Sequence, residues 1–303
     1  MLRTSLAGIA AFICLFASAI VNAQTSPPAS GTKNRECGMS WSCFEQSLDQ
    51  NQPAIIRVST GNSGGGQEAP SQVLLRTAEF DKTGLTTHFD LGGVAASCRL
   101  SRAALRGIVE DAAAMGNLSP LGFGIADRCQ GSMFDSWWPA THNVVASLPA
   151  VVSKPAGYAD CGWSTACLVN HIRTKMPAAG RQLTVLPLFG LLTTTVSYVQ
   201  VDEYNSGTTA AYLRTDKNTA VFDAELIQAM KAKGTSDADI HKAQAKASTS
   251  AASAVGLQGT CRMKDAVLVD LLHRWYAGSY SSNDWDHAET CTGKMFANWH
   301  KGT

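Results

Sequence analysis

Apolar positions that alternate along the chain or recur at helical spacing predict a short helix, three strands and a longer helix in an early stretch. The predicted elements are a helix over 42–48, strands over 54–59, 73–80 and 85–91, and a helix over 101–115. The longer helix places Leu105, Ile108, Val109 and Ala112 on one face, which is the spacing of a helix packed on a core.

A later stretch predicts the same order of elements. They are a helix over 165–175, strands over 183–188, 193–204 and 209–214, and a closing helix over 264–276. This grouping of strands and helices favours an α+β fold, in which each stretch forms a small antiparallel sheet with helices packed on one face.

Short motifs also occur twice in the chain. Residues 129–137 (CQGSMFDSW) recur as residues 291–299 (CTGKMFANW) with five of nine positions identical, and residues 37–43 recur in similar form as residues 161–167. Internal repetition predicts tandem copies of one domain. The predicted organisation is a repeat domain 1 over 37–140, a Pro- and Gly-containing linker over 141–160, and a repeat domain 2 over 161–303.

The second copy carries extra residues between its second and third cysteines. Cys43 and Cys98 are 55 positions apart, whereas Cys167 and Cys261 are 94 apart, so the second copy has about 39 additional residues. The stretch 223–255 is rich in Ala and Lys and shows two helical patterns on either side of a glycine. We expect a helical hairpin that projects from the domain, because this stretch has few large apolar residues to bury.

The amino-terminal residues have the pattern of a secretory signal. Arg3 precedes an uncharged apolar stretch, and Val21-Asn22-Ala23 is a small-x-small cleavage pattern. The sequence therefore predicts a signal peptide over 1–23, a disordered lead-in over 24–36, and a periplasmic or extracellular mature chain without a membrane span.

Cysteine usage agrees with export. Loss of Cys14 with the signal leaves eight of the nine cysteines, and an even number in an exported chain predicts disulfides. Close pairs spaced C-x5-C do not match zinc motifs, so no metal is expected. The favoured pairing is nested, with the alternative of pairing neighbours in sequence. The nested pairs are Cys43–Cys98, Cys37–Cys129, Cys167–Cys261 and Cys161–Cys291.

Charge and motifs exclude some partners. The chain has 25 Lys and Arg residues against 24 Asp and Glu residues, and loss of Arg3 makes the mature chain neutral. A neutral chain argues against a nucleic-acid partner. The glycine run 61–66 lacks the lysine and hydroxyl residue of a phosphate-binding loop, and no cofactor is expected.

Serine and arginine residues stand at matching places in both copies. Ser40 and Ser164 precede the short helices, which favours helix N-caps over nucleophiles, since no glycine follows as in a nucleophile elbow. Arg99 and Arg262 each follow a cysteine. They are candidate anion ligands at the start of the closing helix or, alternatively, partners of a nearby carboxylate.

One polar cluster belongs to the second copy only. Its candidate ligand-binding residues are Tyr280, Asp284, Trp285, Asp286 and His287. Such side chains can provide metal ligands or an acid–base pair, but their spacing matches no known metal loop. The alternative is a solvated polar loop with Trp285 tucked against the core.

Two functions from different classes fit these features. The first is an exported, non-enzymatic binding protein of two disulfide-stabilised domains, whose partner is a protein or a small envelope ligand. The second is an exported hydrolase with a site at the domain interface or near residues 276–289. A concave pocket that joins Asp284, Asp286 or His287 to His171 or His273 would favour the hydrolase.

Overall fold

The structure, a computed structural model, describes residues 34–59, 72–91, 93–135, 137–149, 152–188, 190–278 and 284–297. The predicted signal peptide over 1–23, the lead-in up to residue 33 and the glycine run 61–66 lie outside these residues. Asn34–Thr303 form one compact unit. We refer to residues 34–149 as the first half and to residues 152–297 as the second half.

The first half contains a six-stranded sheet with helices against one face. Its elements are β1 (Arg35–Glu36), α1 (Trp41–Asp49), β2 (Ala54–Ser59), β3 (Gln72–Ala78), β4 (Leu85–Leu91), β5 (Val94–Leu100), α2 (Arg102–Met115), a 3-10 helix (Pro120–Ile125), β6 (Arg128–Gln130), α3 (Ser132–Asp135) and α4 (Trp138–Ala146). The strands lie in chain order across the sheet; β1 is parallel to β2, and the following neighbours are antiparallel.

The second half contains a second six-stranded sheet, with the strands again in chain order and the first pair again parallel. Its elements are β7 (Ala159–Gly162), α5 (Thr165–Thr174), β8 (Ala178–Leu188), β9 (Leu191–Asn205), β10 (Thr208–Phe222), α6 (Ala224–Ala232), α7 (Asp237–Ala252), β11 (Gln258–Lys264), α8 (Asp265–Tyr276), β12 (Thr290–Thr292) and a 3-10 helix (Lys294–Phe296).

Both sheets are mixed, so the prediction of small antiparallel sheets is wrong in this respect. The short helices α1 and α5 carry the chain from the first strand of each sheet to a parallel neighbour, because a parallel pair needs a crossover connection. The first and last strands of each sheet have four residues or fewer, which leaves no usable alternation in the sequence. The predicted helices lie close to their expected bounds, and the fold is α+β. The strands predicted over 183–188 and 209–214 are longer in the structure, where β8 begins at Ala178 and β10 ends at Phe222.

All eight cysteines of the described residues form disulfides, but the nested pairing is wrong. Each cysteine pairs with its neighbour in sequence: Cys37–Cys43, Cys98–Cys129, Cys161–Cys167 and Cys261–Cys291. The reason is local geometry. Cys98 and Cys129 lie directly opposite each other on β5 and β6, with Cα atoms 4.1 Å apart, and the Cys37–Cys43 bond spans the start of α1 with Cα atoms 5.5 Å apart.

The repeated Cys-x-Gly-x-Met-Phe motif supplies core residues at the end of each sheet. Phe134 is buried and meets Phe89 edge-on, with ring centroids 5.4 Å apart. Phe296 is buried in the core of the second half and lies 5.0 Å from the Trp285 ring. The motif's last tryptophan in the second half, Trp299, lies outside the described residues.

The extra residues of the second half form the expected helical hairpin, α6 and α7, but α7 lies along a sheet edge instead of projecting. Strand β11 pairs with β10 only from Thr208 to Arg214. Beyond that point, the Gln244 amide of α7 donates to the carbonyl of Ala220 at 2.7 Å and accepts from the Phe222 N–H. Side chains of α7 therefore satisfy an edge that would otherwise be open.

The two halves contact each other through buried polar groups. The Asp111 carboxylate of α2 accepts hydrogen bonds from the Ser164 hydroxyl at 2.7 Å and from the Ala166 N–H at 2.9 Å, at the start of α5. Thr141 of α4 lies 3.4 Å from Thr194 of β9, measured between their hydroxyl oxygens. The stretch 141–160 was expected to be a linker; its first residues belong to α4, and Val152 is buried against the second sheet.

Candidate ligand-binding face

The polar cluster after α8 is partly buried and internally bonded. The Asp284 side chain is 3% exposed, accepts a hydrogen bond from the indole nitrogen of Trp275 at 2.9 Å and pairs with Arg274. Trp285 packs edge-on against Trp275 with ring centroids 5.3 Å apart. Asp286 and His287 are exposed, while Tyr280 lies outside the described residues. Asp284 therefore anchors the loop.

Arg99 and Arg262 make matching internal contacts in the two halves. Each guanidinium donates to the backbone carbonyl of a glutamate that lies two strands away in the sheet. Arg99 donates to Glu79, just after β3, at 3.5 Å, and Arg262 donates to Glu203, near the end of β9, at 2.9 Å. Both glutamates have positive φ angles, 52° and 47°, which non-glycine residues adopt only at a free-energy cost.

Each of these arginines also pairs with a carboxylate. Arg99 contacts Asp81, and Arg262 donates to Glu203 Oε2 at 2.7 Å. Hydrogen bonds from Thr83, with a smaller contribution from Arg99, lower the pKa of the Asp81 carboxyl to about 2. In the structure both arginines therefore contact carboxylates near the ends of strands, and anion binding by either arginine stays a prediction.

His171 lies beside a disulfide. One ring nitrogen of His171 and the sulfur atoms of Cys161 and Cys167 all lie within 4.8 Å of one another. Because both sulfurs are bonded to each other, neither is a thiolate that could bind a metal.

A small cavity lies where the two halves meet. Asp111, Trp163, Thr165, Gln182 and Tyr276 are among its lining residues, and its volume of about 40 Å³ suits a water molecule, not an organic ligand. Burial raises the pKa of the Asp111 carboxyl, although its hydrogen bonds from Ser164 and α5 act in the opposite direction. This cavity includes none of the polar cluster after α8.

The face of the second sheet that points away from α5 and α8 is covered by three residues of the chain itself, Pro149, Val152 and Tyr158. The Arg181 side chain of β8 donates to the Pro149 carbonyl at 2.6 Å. Val152 is 3% exposed and packs on Ala179 and Tyr198, next to the partly buried Tyr212.

The covering segment is also held by a polar network at its far end. The Tyr158 hydroxyl donates to Asp202 Oδ2 at 2.6 Å, and the Gln200 amide donates to the same oxygen at 2.7 Å. This contact with Asp202 is the main reason that the pKa of Tyr158 is raised to about 12. The segment is therefore bound by an arginine, an apolar patch and a polar pocket in succession.

The register of the strands relates this face to the first sheet. The two sheets can be aligned on the disulfides that join β5 to β6 and β11 to β12. In each sheet, the residues paired across the strands next to the disulfide form one row. In the first sheet the row is Ile55, Arg76, His88, Ser97 and Gln130; in the second it is Ala179, Gln200, Tyr212, Thr260 and Thr292. In the adjacent row, Arg57 and Leu74 match Arg181 and Tyr198.

We call the corresponding surface of the first sheet the outer face. It alternates with the buried positions of β2–β5 and contains a concavity of about 550 Å³. The concavity is lined by the cations Arg99 and Arg128, the carboxylates Glu79 and Asp127, and neutral polar groups that include His88 and Gln130. No described residue covers the outer face in the way that Pro149, Val152 and Tyr158 cover the second sheet.

The outer face carries cations that make no ion pair among the described residues. Arg57 and Arg128 are exposed, Arg76 is partly exposed, and none of the three forms a salt bridge in the part of the chain that the structure describes. His88 lies opposite Arg76 on the next strand. Burial, and then the charge of Arg76, lower the pKa of His88, while Glu79 acts in the opposite direction. These groups favour an anionic ligand.

No motif of the sequence marks Arg57, Arg76, His88 or Arg128 as candidate ligand-binding residues. Each occupies the polar position of a strand with alternating burial, and charged side chains at such positions are ordinary on a solvated face. These residues stand out only when their strands are aligned, because they then lie on one face of the sheet. That alignment requires knowledge of the strand pairing.

Comparisons with protein-family models, with curated proteins and with solved structures found no match to this chain. None of the helices in the described residues is long and apolar enough to cross a membrane. The four disulfides are consistent with a periplasmic or extracellular location.

Proposed function

We propose that this protein is an exported, non-enzymatic binding protein, and that the outer face of the first sheet binds an anionic ligand. Arg57, Arg76 and Arg128 provide fixed positive charge, and His88 adds charge when it is protonated. The proposal includes a tandem duplication, in which the two halves descend from one domain and have kept different uses for the same face.

The matching positions of the two halves support the duplication. Ser40 and Ser164 each accept a hydrogen bond from the backbone N–H of the cysteine three residues on, at 3.3 and 3.1 Å. The disulfides have sequence separations of 6 and 31 in the first half and 6 and 30 in the second. Agreement at the level of caps, register and disulfides is expected from repetition of one unit.

The observation that carries the binding proposal is the difference between the two matching faces. In the second half, this face binds Pro149, Val152 and Tyr158 of the chain itself, and Arg181 is 4% exposed beneath them. In the first half, the matching Arg57 is exposed, as is Arg128, which lines the concavity. Arginines that form no ion pair among the described residues favour recognition of carboxylate or phosphate groups.

Anion binding by charge-matched variants tests this function. One variant replaces Arg57, Arg76 and Arg128 with Gln, and the control replaces the exposed Arg173, Lys242 and Lys246 with Gln; both remove three positive charges. Affinity of the mature chain for a heparin oligosaccharide and for an acidic peptide is measured by calorimetry at low and high salt. We expect the outer-face variant to bind at least tenfold more weakly than the control.

Salt dependence provides a second readout, since the attraction between exposed charges weakens as ionic strength rises. Equal affinities of the two variants for both probes would place binding elsewhere, and the absence of binding of any anion by the wild type would remove the proposed function. Equal melting temperatures of the two variants verify that folding is not the cause of a difference.

A further inference from the structure

We infer that the ligand of the outer face is an extended acidic peptide segment of a partner protein, bound across the first sheet as Pro149, Val152 and Tyr158 are bound across the second. This inference rests on the proposed function, because it assigns the ligand class to the same face. It uses the second half as a structural template for the first.

The template shows how the fold holds an extended segment on this face. Arg181 donates a hydrogen bond to the backbone carbonyl of Pro149 at 2.6 Å. Val152 fills an apolar patch formed by Ala179 and Tyr198. A side chain further along the segment, Tyr158, reaches the polar end of β9.

The first sheet has the chemistry for each of these contacts. Arg57 stands at the position of Arg181 and can donate to a peptide carbonyl. Ile55 and Leu74 are partly buried and stand at the positions of Ala179 and Tyr198, where they can receive an aliphatic side chain. A flexible polysaccharide has no aliphatic side chain to place there.

The contacts at the far end explain why the peptide should be acidic. Gln200 in the second sheet is matched by Arg76 in the first, and Tyr212 is matched by His88. The Tyr158 hydroxyl donates to the Asp202 carboxylate, and the matching position of the first sheet, Ala78, has no acceptor side chain. Beside this contact, Gln200 is replaced by a fixed cation and Tyr212 by a titratable one. An aspartate or glutamate side chain forms a charge-assisted hydrogen bond with Arg76, whereas a tyrosine hydroxyl does not.

A pair of synthetic peptides tests this ligand class. The acidic peptide copies residues 149–158 with Lys154→Glu and Tyr158→Glu; the control peptide has the unchanged sequence. Binding to the intact mature chain is followed by fluorescence anisotropy, with the heparin oligosaccharide as a competing class of anion. We expect the acidic peptide to bind at least tenfold more tightly than the control peptide.

Two variants distinguish a peptide mode from general anion attraction. Arg57→Gln with Arg76→Gln should weaken binding of both the acidic peptide and heparin. Leu74→Asn should weaken binding of the acidic peptide by about fivefold or more and leave heparin binding unchanged, since it removes about 1 kcal/mol of apolar contact without a change in charge.

The outcomes separate this inference from the proposed function. Heparin binding that depends on Arg57 and Arg76, with no preference for the acidic peptide, overturns the inference and leaves the proposed function intact. A concentration-dependent dimer that the double Arg variant disrupts also overturns it, because a second copy of the chain then occupies the face. If no anion binds, the proposed function and the inference fail together.

Discussion

The Asp111 carboxylate on α2 accepts a hydrogen bond from the Ser164 hydroxyl at 2.7 Å, and this contact joins the two halves of the molecule. The same carboxylate accepts from the backbone N–H groups of Thr165 and Ala166, so a residue of the first half caps a helix of the second. Negative charge at a helix amino terminus is favourable, but Asp111 is 6% exposed and its desolvation opposes ionisation.

Replacement of Asp111 should lower the free energy of unfolding, because several hydrogen-bond donors share this carboxylate as their acceptor. Asp111→Ala should lower the free energy of unfolding by about 2–3 kcal/mol, because it leaves the buried donors of Ser164, Thr165 and Ala166 without an acceptor. Urea unfolding of the wild type and the variant measures the difference. A loss below about 0.5 kcal/mol would contradict the cross-half cap.

Asp111 should also make the free energy of unfolding depend on pH, with greater stability at low pH. Because burial raises the pKa of Asp111 in the folded state, the folded chain holds its proton to higher pH than the unfolded chain. The stabilisation is therefore full below the unfolded pKa of about 4 and decreases as pH rises through the folded value. The difference in unfolding free energy between the wild type and Asp111→Asn should decrease from about pH 3 to neutral pH. A difference that increases over this range would contradict the sign.

The edge contact of α7 makes the helical hairpin part of the folded core unit. Gln244→Ala should lower the free energy of unfolding by about 1–3 kcal/mol, since the Ala220 carbonyl and the Phe222 N–H lose a partner. Lys246→Ala, an exposed position on the same helix, is the matched control and should change stability by less than about 0.5 kcal/mol.

The same contact predicts the effect of deleting residues 231–254 on the melting temperature. The sequence alone predicts an unchanged melting temperature, because it treats the hairpin as a projection. The structure predicts a clear decrease, because the deletion exposes the β10 edge beyond Arg214. Differential scanning calorimetry distinguishes the two expectations.

The observed disulfide pairing predicts unequal effects of removing the two bonds of the first half. Cys98 and Cys129 close a loop with a sequence separation of 31, whereas Cys37 and Cys43 close one of 6. In the chain-entropy model the two bonds stabilise by about 3.7 and about 2.4 kcal/mol. Paired Cys→Ala variants, measured by thermal unfolding, should show the larger loss for Cys98 and Cys129. Non-reducing peptide mapping verifies the pairing: a Cys43–Cys98 peptide would contradict it.

Gly131 and Gly293 require glycine for two reasons at once. Their φ angles are 105° and 101°, and a Cβ atom would lie 2.7 Å from the Ala95 carbonyl oxygen at Gly131 and 2.6 Å from the Gly259 Cα at Gly293. Ala at either position should destabilise by about 1–3 kcal/mol. Gly107→Ala, within α2 and with open space around it, should stabilise by about 0.5–1 kcal/mol. Three similar melting temperatures would contradict the strand-end geometry.

The affinity of the outer face for the acidic peptide should increase as pH falls. Burial and Arg76 lower the pKa of His88, so the side chain is neutral at pH 7.5 and gains its proton below its ordinary pKa of about 6.5. The other charged groups around it are Glu79, Arg76, Arg99, Asp127 and Arg128. Peptide carboxylates stay ionised down to about pH 5.

The measurement compares peptide affinity at pH 7.5 and pH 5 for the wild type and His88→Gln. The wild type should bind several-fold more tightly at pH 5, while the variant should change little. If both chains show the same pH profile, another group carries the pH dependence.

Elements whose patterns are local can be predicted from the amino-acid sequence alone. The helix Arg102–Met115 follows from an apolar stripe, β4 from strict alternation, and the caps at Ser40 and Ser164 from the preference of serine for this position. The repeated cysteine motifs also indicated that all eight cysteines of the described residues are used in disulfides. These features depend on neighbours within a few residues, so pattern alone specifies them.

Contacts between distant segments are known only from the three-dimensional structure. The pairing of Cys98 with Cys129 depends on β5 and β6 being adjacent strands, and β6 is too short to recognise from its sequence. The outer face depends on the register that aligns Arg76 with His88. The covering of the second sheet depends on a hydrogen bond from Arg181 to the Pro149 carbonyl, 32 positions away in the chain. Such pairings are set by packing in three dimensions, which local periodicity does not encode.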